Sequence, residues 1–366
     1  MIETKFQWID KLTTLCPLIG SLNLKAGKDI VYAERVHGTL VSHNVDAYNL
    51  SNSDAHNQIV ARAVKALSGK VDDSVLRHML GELTSRTKTY GAFCELAAYD
   101  RLTRAGLTPT PQIAMTAAEV LNSNGSILDG NLMLGNKIVF FDIKAFGFHA
   151  HKIKILNDRL NAEFPSKSVL VEGAWDVSIE FLQELLEHSG FTQLVADLKG
   201  GNVVTRGPLI IRAQGRRPVT VSIHEANPTE LAQQNRTYPL RFAGQYTRAG
   251  PFLLLFVIHP WFSQGELHQN VGGFVDTFAR ELARLVFLGF RHDATPLEGM
   301  QTSDAVKLLS AIAFLNVWPE EMGNEKRPSS RVYLNPIAVH PLERSDFASI
   351  EAVLGDDILI EKINDD

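Results

Sequence analysis

Apolar positions along the chain fall into two rhythms, and their alternation sets out the elements. Ile59, Ala63, Val64 and Leu67 recur at helical spacing, as do Leu76, Met79, Leu80 and Leu83. Helices are therefore expected over 55–68 and from Asp73 or Ser74 onward. Between Asp29 and Val45 the chain reads as short strands and turns. The helical period returns from Gly91 to Arg104, and Gly106 is placed to close that helix. A strand or loop over Pro109–Met115 leads to a hairpin-like pair over 127–146. Beyond it come a helix near 151–163, a strand near Ser168–Val171 and a helix near 177–190. Two β-branched runs, Val203–Arg212 and Pro218–Glu225, flank Gly215-Arg216-Arg217 and suggest a second hairpin. Phe252–Ile258 is apolar at every position, as befits a strand buried on both faces. The long helix after it carries Val271, Phe274, Val275, Phe278, Leu282 and Leu285 on one stripe. A helix around Asp304–Phe314 and a strand over Arg331–Leu334 complete the pattern. Strands and helices mixed in this way predict an α/β or α+β chain with a central mixed β-sheet flanked by helices.

One strand breaks the apolar rule. In Ile138-Val139-Phe140-Phe141-Asp142-Ile143-Lys144-Ala145-Phe146 both faces are apolar, yet Asp142 and Lys144 share a face with Ile138, Phe140 and Phe146. Two ionisable groups on a buried strand cost several kcal/mol unless they are paired or bound. Gly135-Asn136 is a plausible two-residue turn, which sets Leu134 against Lys137. Stepping outward in that register brings Asp129 opposite Asp142. Facing side chains lie about 5 Å apart at Cβ, where like charges repel. A divalent cation between the two carboxylates would turn repulsion into coordination, and an all-oxygen donor set suits Mg²⁺ or Mn²⁺ better than zinc. Glu95 shares its helical face with Ala98, Tyr99 and Leu102, the stripe expected to pack on the sheet.

A helix glutamate, then Asp129, then Asp142-Ile143-Lys144 resembles the signature of the PD-(D/E)XK, or restriction-endonuclease-like, nucleases. The resemblance covers roughly residues 85–260, and Leu128 stands where the pattern has its proline. It implies that Asp129 and Asp142 bind the catalytic metal, with the main-chain carbonyl of Ile143 as a further ligand. Lys144 would position or deprotonate the attacking water, and Glu95 would be an additional ligand or water-holder. The implied function is a Mg²⁺-dependent DNA endonuclease, with Mn²⁺ as substitute, serving restriction, defence against foreign DNA or repair. Homodimers and partner proteins of a defence or restriction system are further implications. An RNA nuclease, or a non-cutting module that binds nucleic acid or protein, would share these features.

The totals bear on this reading only in part. A formal net charge of −5 argues against a chain that coats nucleic acid over its whole surface. Charge is segregated, however: Arg206–Arg248 holds seven bases against two acids, and the stretch from Glu343 onward holds eight acids against two bases. Arg212, Arg216 and Arg217 are the candidate contacts to backbone phosphate, with Lys152 as a further one. His149 and His151 sit two apart and do not share a helical face, so they read as surface histidines. Two cysteines, Cys16 and Cys94, cannot build a disulfide framework or a zinc site alone. No apolar run approaches the roughly 18 residues that span a bilayer, and the amino-terminus has no signal-like layout, so a cytoplasmic setting and no membrane partner are expected. The chain divides on this reading into a mixed region over 1–85, a nuclease-like core over 86–290 and an extension over 291–366.

Overall fold

The computed structural model describes residues 3–364 apart from 26–28, 37–38, 86–87, 147–148, 173–178, 208, 216–226, 260–270 and 318–328. The chain opens with β1 (Glu3–Thr4), α1 (Lys5–Leu15), α2 (Pro17–Ser21), β2 (Val31–Val36) and β3 (Thr39–Ser42). Next come α3 (Val45–Ser51), α4 (Asp54–Leu67), α5 (Asp73–Leu83) and α6 (Thr89–Arg104). Strands β4 (Thr110–Met115), β5 (Ser126–Leu134) and β6 (Lys137–Phe146) follow. After them run α7 (His149–Glu163), β7 (Lys167–Glu172), α8 (Ile179–Leu186), α9 (His188–Gly200), β8 (Val203–Arg206) and β9 (Leu209–Gly215). The remainder is α10 (Pro228–Gln234), a 3-10 segment over Pro239–Gln245, β10 (Phe252–Ile258) and α11 (Val271–Phe287). It continues through β11 (Pro296–Leu297), β12 (Met300–Gln301), α12 (Thr302–Leu308), β13 (Ala311–Asn316), β14 (Ser330–Leu334), α13 (Ala348–Leu354) and β15 (Ile358–Lys362).

A seven-stranded mixed sheet in the order β15-β14-β13-β10-β6-β5-β4 forms the centre of this α/β fold. Its middle strands β6, β10 and β13 run parallel, and β10 is buried at all seven positions. That double-sided burial is why the apolar run of β10 shows no alternation. Helices cover both faces. On one, Leu102 of α6, Ala105 just past its end and Ile350 of α13 line a common apolar cavity with Leu132, Leu253 and Leu255. On the other, Tyr238, Phe242 and Phe278 pack edge-on or tilted against Phe146, Phe256 and Phe314. No helix among the described residues is long and apolar enough to cross a membrane.

Most helices start and stop where the sequence says they should. Ser53 caps α4 through its side chain, accepting from the His56 amide. Gly106, at φ +79°, ends α6 in the left-handed turn that glycine adopts without strain, and the Leu107 amide bonds back to the Leu102 carbonyl. The 127–146 hairpin forms in the register set by the Gly135-Asn136 turn, with Leu134 opposite Lys137 and Gly130 opposite Phe141.

Three expected elements differ. The helix expected over Asp304–Phe314 stops at Leu308, and Ala311–Asn316 is instead a fully buried strand between β10 and β14. Flanked on both edges and covered on both faces, it lost the period-two signal that identifies a half-exposed strand. The single helix expected near 177–190 is two, because Glu187 leaves helical geometry at ψ 154° and α9 begins at His188. Val203–Arg212 is not one strand but β8 and β9, which pair with Arg206 opposite Leu209. The hairpin turn expected at Arg216-Arg217 lies outside the described residues.

Two features of organisation follow from the topology. Residues 311–362 supply three of the seven strands, so the central sheet runs past position 290 as far as Lys362. Between β6 and β10 the chain instead builds a second, three-stranded sheet β7-β9-β8, whose apolar side packs with α7, α8 and α9 around its own cluster of Leu156, Leu160, Leu182, Leu194 and Ile211.

Candidate active site

The site begins where β5 and β6 part. Their ladder ends at Gly130↔Phe141. From there β5 stays paired with β4 back to Ser126, while β6 stays paired with β10 out to Phe146. A gap therefore opens between the two strands, and the Asp129 and Asp142 side chains meet at its apex. The β4–β5 ladder is also interrupted here. It keeps one register from Pro111↔Gly130 to Ile113↔Leu128, but the pair between them, Gln112 with Asp129, is missing, and Gln112 takes φ +57°. A non-glycine residue held in that region stores on the order of 1 kcal/mol and marks a place the surrounding structure insists on. Gly130 is needed at the same point, because a Cβ there would stand 2.6 Å from both the Phe141 ring and the Thr110 carbonyl oxygen.

Each candidate side chain can now be placed. Asp142 is 1% exposed, and its Oδ2 is ion-paired with the Lys144 ammonium on the same strand face. Its Oδ1 has no hydrogen-bond partner among the described residues. Asp129 reaches across the gap, its Oδ2 accepting from the Ile143 amide at 2.6 Å. In effect the carboxylate replaces the strand carbonyl that a continued ladder would have offered that N–H. The Lys144 ammonium lies 5.1 Å from the centre of the Phe242 ring, a favourable cation–π placement. Helix α6 runs along the gap from Phe146, whose carbonyl accepts from the Tyr90 hydroxyl at 3.4 Å, to Asp129, whose carbonyl accepts from the Tyr99 hydroxyl. Glu95 lies between those anchors on the helix, half-buried.

Electrostatics tie the four together. Burial, reinforced by the Asp142 and Glu95 charges and only partly offset by Lys144, holds the Asp129 carboxyl well above its ordinary value. Burial also pushes Glu95 up from 4.5 to about 7, with Lys144 opposing and Glu82 and Asp142 adding to the rise. A carboxyl whose folded-state value is raised favours the proton-bound native state. Its contribution to stability is complete below the unfolded-state value and is lost as pH climbs through the folded-state value. Glu95 should therefore make the protein less stable as pH rises from 4.5 through about 7, by on the order of 1 kcal/mol for a half-buried group, and Asp129 acts in the same direction. Urea denaturation at pH 5.5 and pH 8 should show that fall in wild type and a smaller one in Glu95→Gln. An unchanged fall in the variant would mean that Glu95 carries no raised pKa.

The donor set suits a hard divalent cation in part. Two facing carboxylates, with neither Asp142 oxygen hydrogen-bonded among the described residues, offer oxygen ligands of the right kind. Among the described residues, no group of three or more His, Cys, Asp and Glu side chains is placed to hold one ion. Glu95 thus lies within the field of the Asp129–Asp142 pair without completing a ligand set.

The other candidate residues do not gather here. Arg212, on β9 in the second sheet, is ion-paired with Glu172 at 3.0 Å. Arg216 and Arg217 lie outside the described residues. Lys152 is half-buried, and burial lowers its pKa while Asp46 opposes that shift. Of the His149 and His151 side chains nothing is described. Reading by sequence missed Tyr99, Gln112 and Phe242. It also missed a buried histidine pair, His56 and His259, whose Nε2 atoms lie 2.6 Å apart. Burial takes His56 down to about 4, so its ring is neutral at ordinary pH. Its signal was available: His56 is on the Ile59, Val60, Ala63 stripe of α4, where a solvated side chain has no place.

No family model, curated protein or solved structure matches this chain.

Proposed function

We propose that this chain is a metal-dependent phosphodiesterase of the PD-(D/E)XK type, acting on DNA as an endonuclease. The observation that carries the reading is the opposed Asp129–Asp142 pair at the apex of a strand split, with Lys144 ion-paired to one member. A fold has no use for two facing carboxylates in a buried site, since bringing them together costs several kcal/mol that packing does not return. Mg²⁺, or Mn²⁺ in its place, would be held by Asp129 and Asp142, with the Ile143 carbonyl and waters as further oxygens. When bound, the cation supplies Lewis acidity that stabilises negative charge on the phosphoryl group.

The chain's own groups supply the rest. Lys144 brings a fixed positive charge into a poorly solvated cleft, where it stabilises the extra charge of an in-line displacement more strongly than it would in water. Glu95, its pKa raised by burial to about 7, would hold the attacking water and take its proton, because a base near the working pH is both available and able to accept. The bond from water oxygen to phosphorus forms as the bond to the ester oxygen breaks, and that oxygen takes a proton from solvent.

A panel of single- and double-stranded DNA and RNA, incubated with purified protein and Mg²⁺, Mn²⁺ or EDTA, tests the substrate class. DNA cut internally, only when a metal is present, is the expected result. RNA cut in preference to DNA would move the assignment to a ribonuclease. Binding of DNA with no cutting in either metal would favour a non-cutting module.

A further inference from the structure

We infer that Tyr99 is a positioning residue for the Asp129 carboxylate. The inference rests on the reading of Asp129 as a metal ligand and adds to it the group that aims the side chain. Asp129 sits where both of its neighbouring ladders are interrupted: the β5–β6 pairing has just ended, and its own pair with Gln112 is missing from the β4–β5 ladder, whose register is otherwise constant. In a regular strand the flanking hydrogen bonds fix the peptide plane, and with it the direction of the side chain. At Asp129 that constraint is weakened, while the carboxylate must still span the gap to the Ile143 amide.

Tyr99 supplies the missing constraint. It is 1% exposed, its ring packs edge-on against Phe141 with centroids 6.3 Å apart, and its hydroxyl donates to the main-chain carbonyl of Asp129. Asp129 is thus gripped at both ends, its carbonyl by Tyr99 on the helix and its carboxylate by Ile143 on the next strand. Tyr99 is also one helical turn from Glu95, so a single helix sets the position of both acids. Tyr246 makes the contrast. It is equally buried and lies within the field of Asp142, yet its hydroxyl donates to the Pro239 carbonyl at 2.7 Å, within its own segment. Tyr246 satisfies its own polar tip, whereas Tyr99 spends its tip on a site residue.

The variant is Tyr99→Phe, which keeps the ring and its packing on Phe141. Mn²⁺ binding, followed by electron paramagnetic resonance at pH 8, is measured for wild type, Tyr99→Phe and Asp129→Asn, with a thermal melt of each to confirm folding. Wild type should bind, Asp129→Asn should lose binding, and Tyr99→Phe should bind about tenfold more weakly, as is typical when a group that orients a ligand is removed. A hydroxyl that merely satisfied a core tyrosine would leave that affinity unmoved and lower only the melting temperature. Tyr99→Phe binding as tightly as wild type, with Asp129→Asn still dead, overturns the inference and leaves the nuclease reading intact. Equal binding by wild type and Asp129→Asn, or none by wild type, overturns both.

Discussion

Asp129→Asn should make the metal-free protein more stable while removing its activity. Asparagine keeps the shape of the side chain, and its carbonyl oxygen can still accept from the Ile143 amide. What it removes is a carboxylate whose charged form is disfavoured by burial and by Asp142. The variant should therefore be more stable at pH 7.5, by on the order of 1 kcal/mol, the scale typical of single stabilising substitutions. Cleavage should fall by about a thousandfold or more, the scale seen when one preorganised group is taken from a reaction site. Both changes are read from the same preparation, by urea denaturation in EDTA and by initial rates in Mg²⁺. Loss of stability together with loss of activity would mean that Asp129 is structural.

The second large effect concerns Lys144 and has the opposite sign in stability. Lys144→Met leaves Asp142, 1% exposed, without the cation that pairs with it. Removing one partner of a buried ion pair typically costs about 3–5 kcal/mol. Uptake of a proton by Asp142 limits the loss, so about 3 kcal/mol is expected at pH 7.5 and less at pH 5. Adding Asp142→Asn to Lys144→Met should restore most of the stability, because the uncompensated charge goes with it, and should restore none of the cleavage. A double-mutant cycle in urea measures that coupling directly. Additive losses would show that the two side chains do not depend on each other.

The candidate site was more legible in the sequence than the fold around it, and the reason is local. The Gly135-Asn136 turn fixes the hairpin register, and a period of two then decides which residues share a face. Asp129, Asp142 and Lys144 therefore follow from about eighteen consecutive residues. Glu95 follows from helical period alone. What could not be read is the strand split at which the site sits. It depends on β4 keeping β5 while β10 keeps β6, pairings between segments as much as about 110 residues apart, on which hydrophobic rhythm is silent. The Tyr99 contact to Asp129 is hidden for the same reason. Ala311–Asn316 was mistaken for helix because a strand enclosed on all sides carries no alternation. Arg212 looked like a free cation because its partner, Glu172, stands forty residues earlier on a strand that pairs beside it.

Supercoiled plasmid incubated with wild type, Asp142→Asn and Lys144→Met in Mg²⁺ tests the central claim most directly. Nicked or linear product should form with wild type only, vanish with EDTA, and be absent from both variants even where melting curves show them folded. Cleavage by folded Asp142→Asn and Lys144→Met at the wild-type rate would place any activity outside this site and contradict the account.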